Sequence, residues 1–162
     1  MNTISDKATI SHLADIEVSK RGSQLIVSDD VMIDSFVKIK FTGGIGNIEI
    51  GKGTYINSGC VLYSGNGIKI GNNVLVAANC TFAPVNHEYG AKDKLIVEQG
   101  FKPSRGGIII EDDVWIGAGV VILDGSIIRK GAVIGAGSIV NQEVESYSIC
   151  AGNPLKIIKY RK

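Results

Sequence analysis

The sequence is poor in proline and in aromatic residues, and it has almost no net charge. Only 3 of its 162 residues are proline, and aromatic side chains make up 6%. Lys and Arg number 17 against 16 Asp and Glu, a balance that gives no support to nucleic acid as the main partner. No apolar run approaches the roughly 18 residues that a membrane-spanning helix needs, so we expect no membrane span.

Cysteine is also scarce. The three cysteines stand at positions 60, 80 and 150, a spacing that gives neither a disulfide framework nor a Cys-x-x-Cys metal pair. A reducing compartment is the simpler interpretation. The opening residues, MNTISDKATISHLADIE, have acids where a secretory signal has a basic region and an apolar block. We therefore expect a cytoplasmic protein with no metal.

Glycine, in contrast, is abundant. It accounts for 21 of the 162 residues, roughly 13%, against an average frequency near 7%. Glycine without proline argues against collagen and against a disordered linker. It predicts many tight turns in a regular apolar structure. The length suits one domain spanning residues 1–162.

Aliphatic residues recur every six positions in the second half of the chain. They are Ile110, Ile116, Ile122, Ile128, Ile134 and Val140. A second small or apolar residue follows each of them after four positions: Val114, Val120, Ser126, Ala132, Ser138 and Val144. The same frame is present upstream around Val27, Ile50 and Ile70. A period of six is neither helical nor a plain strand alternation.

This period predicts short strands separated by tight turns, three to a coil, stacked as a parallel β-helix. Cys60 and Cys80 occupy the second inward position and are predicted to pack in the core, while Cys150 lies beyond the repeats without an assigned role. The frame breaks at residues 40–47 and 63–67, and over the longer segment 87–107. We expect segment 87–107 to leave the prism as an arm, because so long an irregular connection is usually functional or disordered. Residues 152–162 are predicted to form a C-terminal cap.

The segment from Ile48 to Lys159 resembles a known family. It contains IGKGTYINSGCVLY, IGNNVLVAANCTFAPVNH, IEDDVWIGAGVVILDG, IGAGSIV and AGNPLKII. These motifs resemble the O-acetyltransferase branch of the hexapeptide-repeat acyltransferases, which includes galactoside, maltose and polysaccharide acetyltransferases. The resemblance implies an all-β, left-handed parallel β-helix shaped as a triangular prism, although the general rule for crossovers favours the right hand. The repeats begin almost at once, without the helical segment of the galactoside and maltose enzymes. That difference favours a saccharide of a surface polysaccharide, or its precursor, as the acceptor.

His87 is the candidate catalytic residue. It stands after Asn86, where the repeat frame breaks, and the family has its general base in this place and context. A sugar hydroxyl must lose its proton to attack a thioester, and an ordinary histidine is mostly neutral at pH 7 and can accept that proton. His12, the other histidine, has no motif context.

The resemblance also suggests residues that contact the acceptor. Asn57, in TYINSG, matches the acceptor-binding asparagine of the family, although Asn is also common in such turns. Asn86 precedes the candidate base. Tyr63 lies beside Gly65, which stands where galactoside-type members have an acidic residue. This departure leaves the identity of the acceptor open.

Five further residues are candidates for binding coenzyme A. The resemblance places Trp115 along the pantetheine channel, although an outward tryptophan could instead lie in a trimer interface. It likewise assigns the backbone N–H near Ala118 to the oxyanion and that of Ala136 to coenzyme A. Lys156 and Lys159, near the basic C-terminus, could meet phosphates or could simply be solvated.

The sequence thus suggests an acetyltransferase that moves an acetyl group from acetyl-coenzyme A to a sugar hydroxyl by direct attack in a ternary complex. The resemblance implies a homotrimer with each site between two subunits. A xenobiotic O-acetyltransferase and a non-catalytic β-helix scaffold are the alternatives. The carbonic anhydrases that share this fold need three histidines around zinc, and the chain has two.

Overall fold

A computed structural model describes residues 2–162 and consists almost entirely of short strands. In chain order the strands are β1 (Thr3–Ile4), β2 (Thr9–Ile10), β3 (Asp15–Ile16), β4 (Leu25–Val27), β5 (Met32–Ile33), β6 (Lys38–Lys40), β7 (Ile48–Ile50), β8 (Tyr55–Ile56), β9 (Val61–Tyr63), β10 (Ile68–Ile70), β11 (Leu75–Val76), β12 (Thr81–Ala83), β13 (Ile108–Ile110), β14 (Trp115–Ile116), β15 (Val121–Leu123), β16 (Ser126–Ile128), β17 (Val133–Ile134), β18 (Ile139–Val140), β19 (Glu143–Val144), β20 (Ser148–Ala151) and β21 (Lys156–Tyr160). One 3₁₀ helix, Ile96–Glu98, lies between β12 and β13.

Three parallel sheets form the faces of a left-handed β-helix, as the resemblance implies. Sheet A has the order β1-β4-β7-β10-β13-β16-β19, and sheet B has the order β2-β5-β8-β11-β14-β17-β20-β21. Sheet C contains β3, β6, β9, β12, β15 and β18. Because the chain visits A, B and C in turn, each circuit is one coil of a triangular prism. The first coil begins at β1, which confirms that the repeats start near the N-terminus.

Stacked aliphatic side chains fill the interior of the prism. Ile50, Ile70 and Ile110 lie in register on neighbouring strands of sheet A, and all three are buried. The predicted inward positions from Ile110 to Val144 are buried at both places in each hexad. Cys60 and Cys80 are also buried, as predicted, and so is Cys150, which takes the inward place next to Ile134 in sheet B. The period of six therefore identified the core.

The three corners of the prism carry the turns. The A–B corner lies between sheets A and B, the B–C corner between B and C, and the C–A corner where one coil leads to the next. At the A–B corner, side chains of one coil accept backbone N–H groups of another: Asn72 from Lys52, Asp112 from Asn72, and Glu111 from Lys130. These bonds satisfy turn donors that the sheets leave unpaired.

The largest irregular segment leaves the prism at the C–A corner, between β12 and β13. The connection starts at Pro84, three residues before the predicted boundary at His87. The Pro84 oxygen accepts a hydrogen bond from the Asn66 N–H, so this first residue is still attached to the corner. The segment returns at Gly107, whose φ is +76° and whose added Cβ would lie 2.5 Å from the Gly67 oxygen. The stack resumes across this insertion, since Thr81 pairs with Val121. We use the name arm for residues 84–107.

The predicted C-terminal cap contains β21, which pairs antiparallel with β20 at the end of sheet B. Residues 2–162 include no helix of the length and apolarity that a membrane crossing requires.

The buried hydroxyl groups of Thr54 and Ser64 allow a test of how much buried hydrogen bonds stabilise the stack. Thr54 Oγ1 donates to the Gly71 oxygen at 2.8 Å and accepts the Val74 N–H at 3.1 Å. Thr54→Val keeps the volume but leaves the Val74 N–H buried without this acceptor. We expect the free energy of unfolding, measured by urea denaturation at one protein concentration, to fall by about 1–3 kcal/mol.

The matched control is Ser64→Ala. Ser64 Oγ is buried and has no hydrogen-bond partner within residues 2–162. Its removal should change the free energy of unfolding by less than about 0.5 kcal/mol. Equal losses in the two variants would show that the Thr54 bonds do not stabilise the stack.

Candidate active site

The candidate base His87 lies at the foot of the arm. His87 and Phe101 form an antiparallel bridge. It is flanked by hydrogen bonds from the Glu88 N–H to the Gly100 oxygen, 3.0 Å, and from the Lys102 N–H to the Asn86 oxygen, 2.8 Å. In a bridge of this type the two facing side chains come close on one side of the hairpin. The stem of the arm therefore fixes the backbone of His87.

The imidazole of His87 is exposed. Its ring centroid lies 4.6 Å from that of Phe101, with 40° between the two planes. No hydrogen bond joins the imidazole to another group within residues 2–162. The ring nitrogens are therefore available to the hydroxyl of an acceptor.

The body of the arm is closed by one side chain, that of Gln99. Its Oε1 accepts the Ala91 N–H at 3.0 Å, and its Nε2 donates to the Ala91 oxygen at 2.9 Å and the Lys94 oxygen at 3.0 Å. These three bonds join the outgoing limb of the arm to the returning limb. The arm thus has a defined shape although it contains little regular structure.

Charged and aromatic groups surround the foot of the arm. The Glu88 carboxylate accepts the N–H groups of Tyr89 at 2.8 Å and Gly90 at 3.0 Å, and these bonds lower the pKa of Glu88. Lys102 Nζ lies 3.8 Å from the centroid of the Tyr89 ring, within the range of a cation–π contact. Such groups suit contacts with a polar, hydroxyl-rich molecule.

The acceptor candidates lie at two different corners. Tyr63 ends β9 beside the C–A corner, and Asn86 is exposed on the arm, so both share the corner of His87. Asn57 instead follows β8 at the B–C corner, where its Nδ2 donates to the Val76 oxygen at 2.6 Å. One amide hydrogen of Asn57 is therefore already used within the stack.

Trp115 lies on the outer face of sheet B, half exposed, as its position in the hexad predicts. It is in register with Leu75 and Val133. A shallow groove beside it is also lined by Asp113 and Arg161. An aromatic face next to a guanidinium group can receive a ligand with both apolar and anionic parts.

Arg161 belongs to the basic C-terminal end noted in the sequence, and it is the residue of that end that lines this groove. Its guanidinium donates to Asp113 Oδ2 at 2.9 Å and to the Gly131 oxygen at 3.0 Å. Lys156 and Lys159, the predicted basic residues, are exposed on β21 and do not line the groove. Only the antiparallel return of β21 brings Arg161 to the groove, and no local pattern in the sequence signals that return.

Ala118 and Ala136 occupy equivalent turn positions at the B–C corner of neighbouring coils. The Ala118 oxygen accepts the Gly137 N–H at 2.9 Å. Within residues 2–162 neither alanine N–H has an acceptor. Both are therefore available as fixed donors on the rim of the prism.

The cysteines are not placed for nucleophilic chemistry. All three are buried, and the thiols of Cys60 and Cys80 both donate to the Ala77 oxygen at 3.2 Å. The hydrogen bond with Cys80 and burial raise the pKa of Cys60. The same hydrogen bond lowers the pKa of Cys80, but burial keeps all three thiols away from a substrate. Within residues 2–162 no three His, Cys, Asp or Glu side chains are grouped to hold a metal ion.

The fold of one chain thus divides the candidate residues among separate places. The C–A corner carries His87, Asn86 and Tyr63. The B–C corner carries Asn57 and both alanines, and Trp115 lies on sheet B near the A–B corner. His87 and Asn57 therefore lie at different corners of one chain.

Comparisons with known proteins agree with this fold. The sequence profile described as bacterial transferase hexapeptide (six repeats) matches residues 107–142. A hexapeptide-repeat acetyltransferase from Vibrio cholerae, solved with acetyl-coenzyme A, is 33% identical and superposes with a TM-score of 0.70, covering 82% of this chain and 68% of that one. The chain belongs to the hexapeptide-repeat acetyltransferase family.

Two further relatives differ in the bond they form. Galactoside O-acetyltransferase of Escherichia coli is 32% identical over 117 residues, which cover 70% of this chain and 54% of the relative. AntD, an N-acyltransferase from Bacillus cereus solved with a dTDP-linked amino sugar and coenzyme A, is 24% identical with a TM-score of 0.84, over 99% of this chain and 84% of that one. The AntD likeness concerns the fold alone. The chain spans just over half the length of the curated relatives that it matches.

The bonds of Gln99 predict how the arm responds to protease. Gln99→Ala removes three hydrogen bonds between the limbs, so local opening should become at least about 10-fold more frequent. We expect trypsin to cleave after Lys92 and Lys94 correspondingly faster, as measured by mass spectrometry of short digests. The control is Glu98→Ala, which changes a neighbouring exposed side chain. Trypsin should cleave this variant at the wild-type rate. Equal cleavage rates in the wild type and Gln99→Ala would mean that Gln99 does not close the arm.

Proposed function

We propose that this protein transfers an acetyl group from acetyl-coenzyme A to a hydroxyl group of a saccharide, with His87 as the general base. The observation that carries the proposal is the exposed imidazole of His87, held by backbone pairing at the foot of the arm in a member of an acetyltransferase family. The acceptor we favour is a saccharide of a surface polysaccharide or its precursor.

The proposed reaction needs few groups from the protein. His87 takes the proton of the acceptor hydroxyl as its oxygen attacks the thioester carbonyl. The Ala118 N–H donates to the oxygen of the tetrahedral intermediate. The C–S bond then breaks, an ester forms, and the imidazolium returns the proton to the leaving thiolate. Since the three cysteines are buried, the transfer is direct and proceeds without an acyl-cysteine.

The two substrates are assigned to different residues. Asn57, Asn86 and Tyr63 bind the saccharide. Trp115 flanks the pantetheine arm, and the Ala136 N–H contacts coenzyme A. Arg161 adds a guanidinium beside Trp115, and Lys156 and Lys159 are available to phosphate groups near the same end of the prism.

We further propose that the working enzyme is a homotrimer. Its support is the division of Asn57 and His87 between two corners of one chain, which a neighbouring subunit could unite. Outward apolar side chains on sheet B, among them Tyr55, Leu75 and Trp115, would gain from cover by such a neighbour.

The function is tested by coenzyme A release in the presence of oligosaccharides, nucleotide sugars, amino sugars and hydroxylated antibiotics. The proposal expects a saccharide to stimulate release and mass spectrometry to find an acetyl ester on it. Acetylation of amino groups alone would contradict oxygen transfer, and a preference for an antibiotic would contradict the saccharide. No release with any member of the panel would count against an acetyltransferase.

His87→Ala should lower kcat by roughly 10²–10⁴-fold, because the acceptor then loses its base. Coenzyme A binding, followed by calorimetry, should stay unchanged, since His87 lies away from the groove of Trp115. The control is His12→Ala, which alters the other exposed histidine and should retain full activity. Activity of His87→Ala within a few-fold of the wild type would remove His87 from the mechanism.

A further inference from the structure

The proposed reaction requires a ring nitrogen of His87 to face the acceptor hydroxyl, so the imidazole must be held in one orientation. A catalytic histidine is commonly oriented by a hydrogen bond from its second ring nitrogen to a carboxylate or a carbonyl. Within residues 2–162 no such bond reaches His87. An exposed imidazole held only at its backbone can occupy several rotamers, and most of them would not meet the acceptor proton.

The side chain that does contact His87 is Phe101. The two residues face each other in the bridge of the arm stem, and their ring centroids are 4.6 Å apart. Aromatic pairs at this separation attract one another when the rings are tilted, as here by 40°. Phe101 is itself about half exposed, so it is not needed to fill the core.

The limb that carries Phe101 is tied to the prism by a buried carboxylate, Asp124. Its Oδ2 accepts the Arg105 N–H at 2.8 Å, and its Oδ1 accepts the Gly107 N–H at 2.9 Å. Asn66 Nδ2 also donates to Oδ2, at 3.3 Å. Asp124 lies in the turn after β15. Its bonds therefore join this turn and the turn of Asn66 to the end of the arm. Only 2% of Asp124 is exposed, and the three donors compensate for burying its charge.

These contacts form a chain from the rigid prism to the base. Asp124 holds Arg105 and Gly107, the returning limb continues to Phe101 and Lys102, and Phe101 packs against the imidazole. We propose that Phe101 is the positioning residue of His87 and that Asp124 anchors the limb that brings Phe101 to it. This inference rests on the proposed function of His87 as base.

The contact can be tested without any activity by NMR of protein labelled with ¹³C-histidine. The chain has two histidines, His12 and His87, and His12→Ala assigns the signals. The ring current of Phe101 should move the ring protons of His87 upfield of those of His12. Phe101→Leu should abolish that difference, and Phe101→Tyr should preserve it. Asp124→Asn should reduce it, because an amide offers one acceptor oxygen in place of two, whereas the exposed control Asp6→Asn should not.

Kinetics with the best acceptor of the panel then decide the role. Phe101→Leu should lower kcat by about 10-fold, with KM for acetyl-coenzyme A within about 2-fold of wild type, and Phe101→Tyr should restore kcat. The inference is overturned if the wild-type His87 signals show no upfield shift. It is equally overturned if Phe101→Leu removes the shift but leaves kcat unchanged, or raises only the acceptor KM. Full activity of His87→Ala would instead reject the proposed function and leave the NMR result standing.

Discussion

The structure depends on side chains that lie directly above one another in successive coils. Ile48, Ile68 and Ile108 form one such column on sheet A, and each is buried by its neighbours above and below. A single hexad exposes its inward face, so only the stack as a whole buries these residues. The need to stack fixes the inward residues of the strands. The corners can vary in length and sequence, provided that the next coil resumes in register. The arm can therefore be inserted at the C–A corner, because β12 and β15 still pair across it.

How much the sequence could predict follows from this constraint. The inward positions repeat every six residues, so the core, the three-sided coil and the place of the arm were all predictable from local pattern. The contacts of the arm were not. Gln99, Asp124 and Phe101 act through partners that are distant in sequence or lie in irregular backbone, where no period applies. Asp124 stands in a turn, LDG, and nothing local distinguishes it from a solvated turn residue.

The stacked coils also explain how a rigid β-helix can hold catalytic and binding groups in place. Backbone donors such as the Ala118 N–H are fixed by the stack before any ligand binds, which suits the stabilisation of developing charge. The longest irregular segment, the arm, carries the candidate base and the polar and aromatic groups around it. Loops on rigid scaffolds commonly determine which substrate is accepted. In the proposed enzyme the prism would supply the chemistry shared by the family, and the arm would determine the choice of acceptor.

In the proposed enzyme, His87 of one subunit and Asn57 of the next form one active site. The most direct measurement is the activity of mixed oligomers purified, through two different tags, from cells that co-express His87→Ala and Asn57→Ala chains. Each parent variant alone should be weakly active. A mixed trimer should regain activity, because one of its three sites pairs an intact His87 with an intact Asn57. Mixed oligomers no more active than the parents would show that His87 and Asn57 do not act together across two subunits.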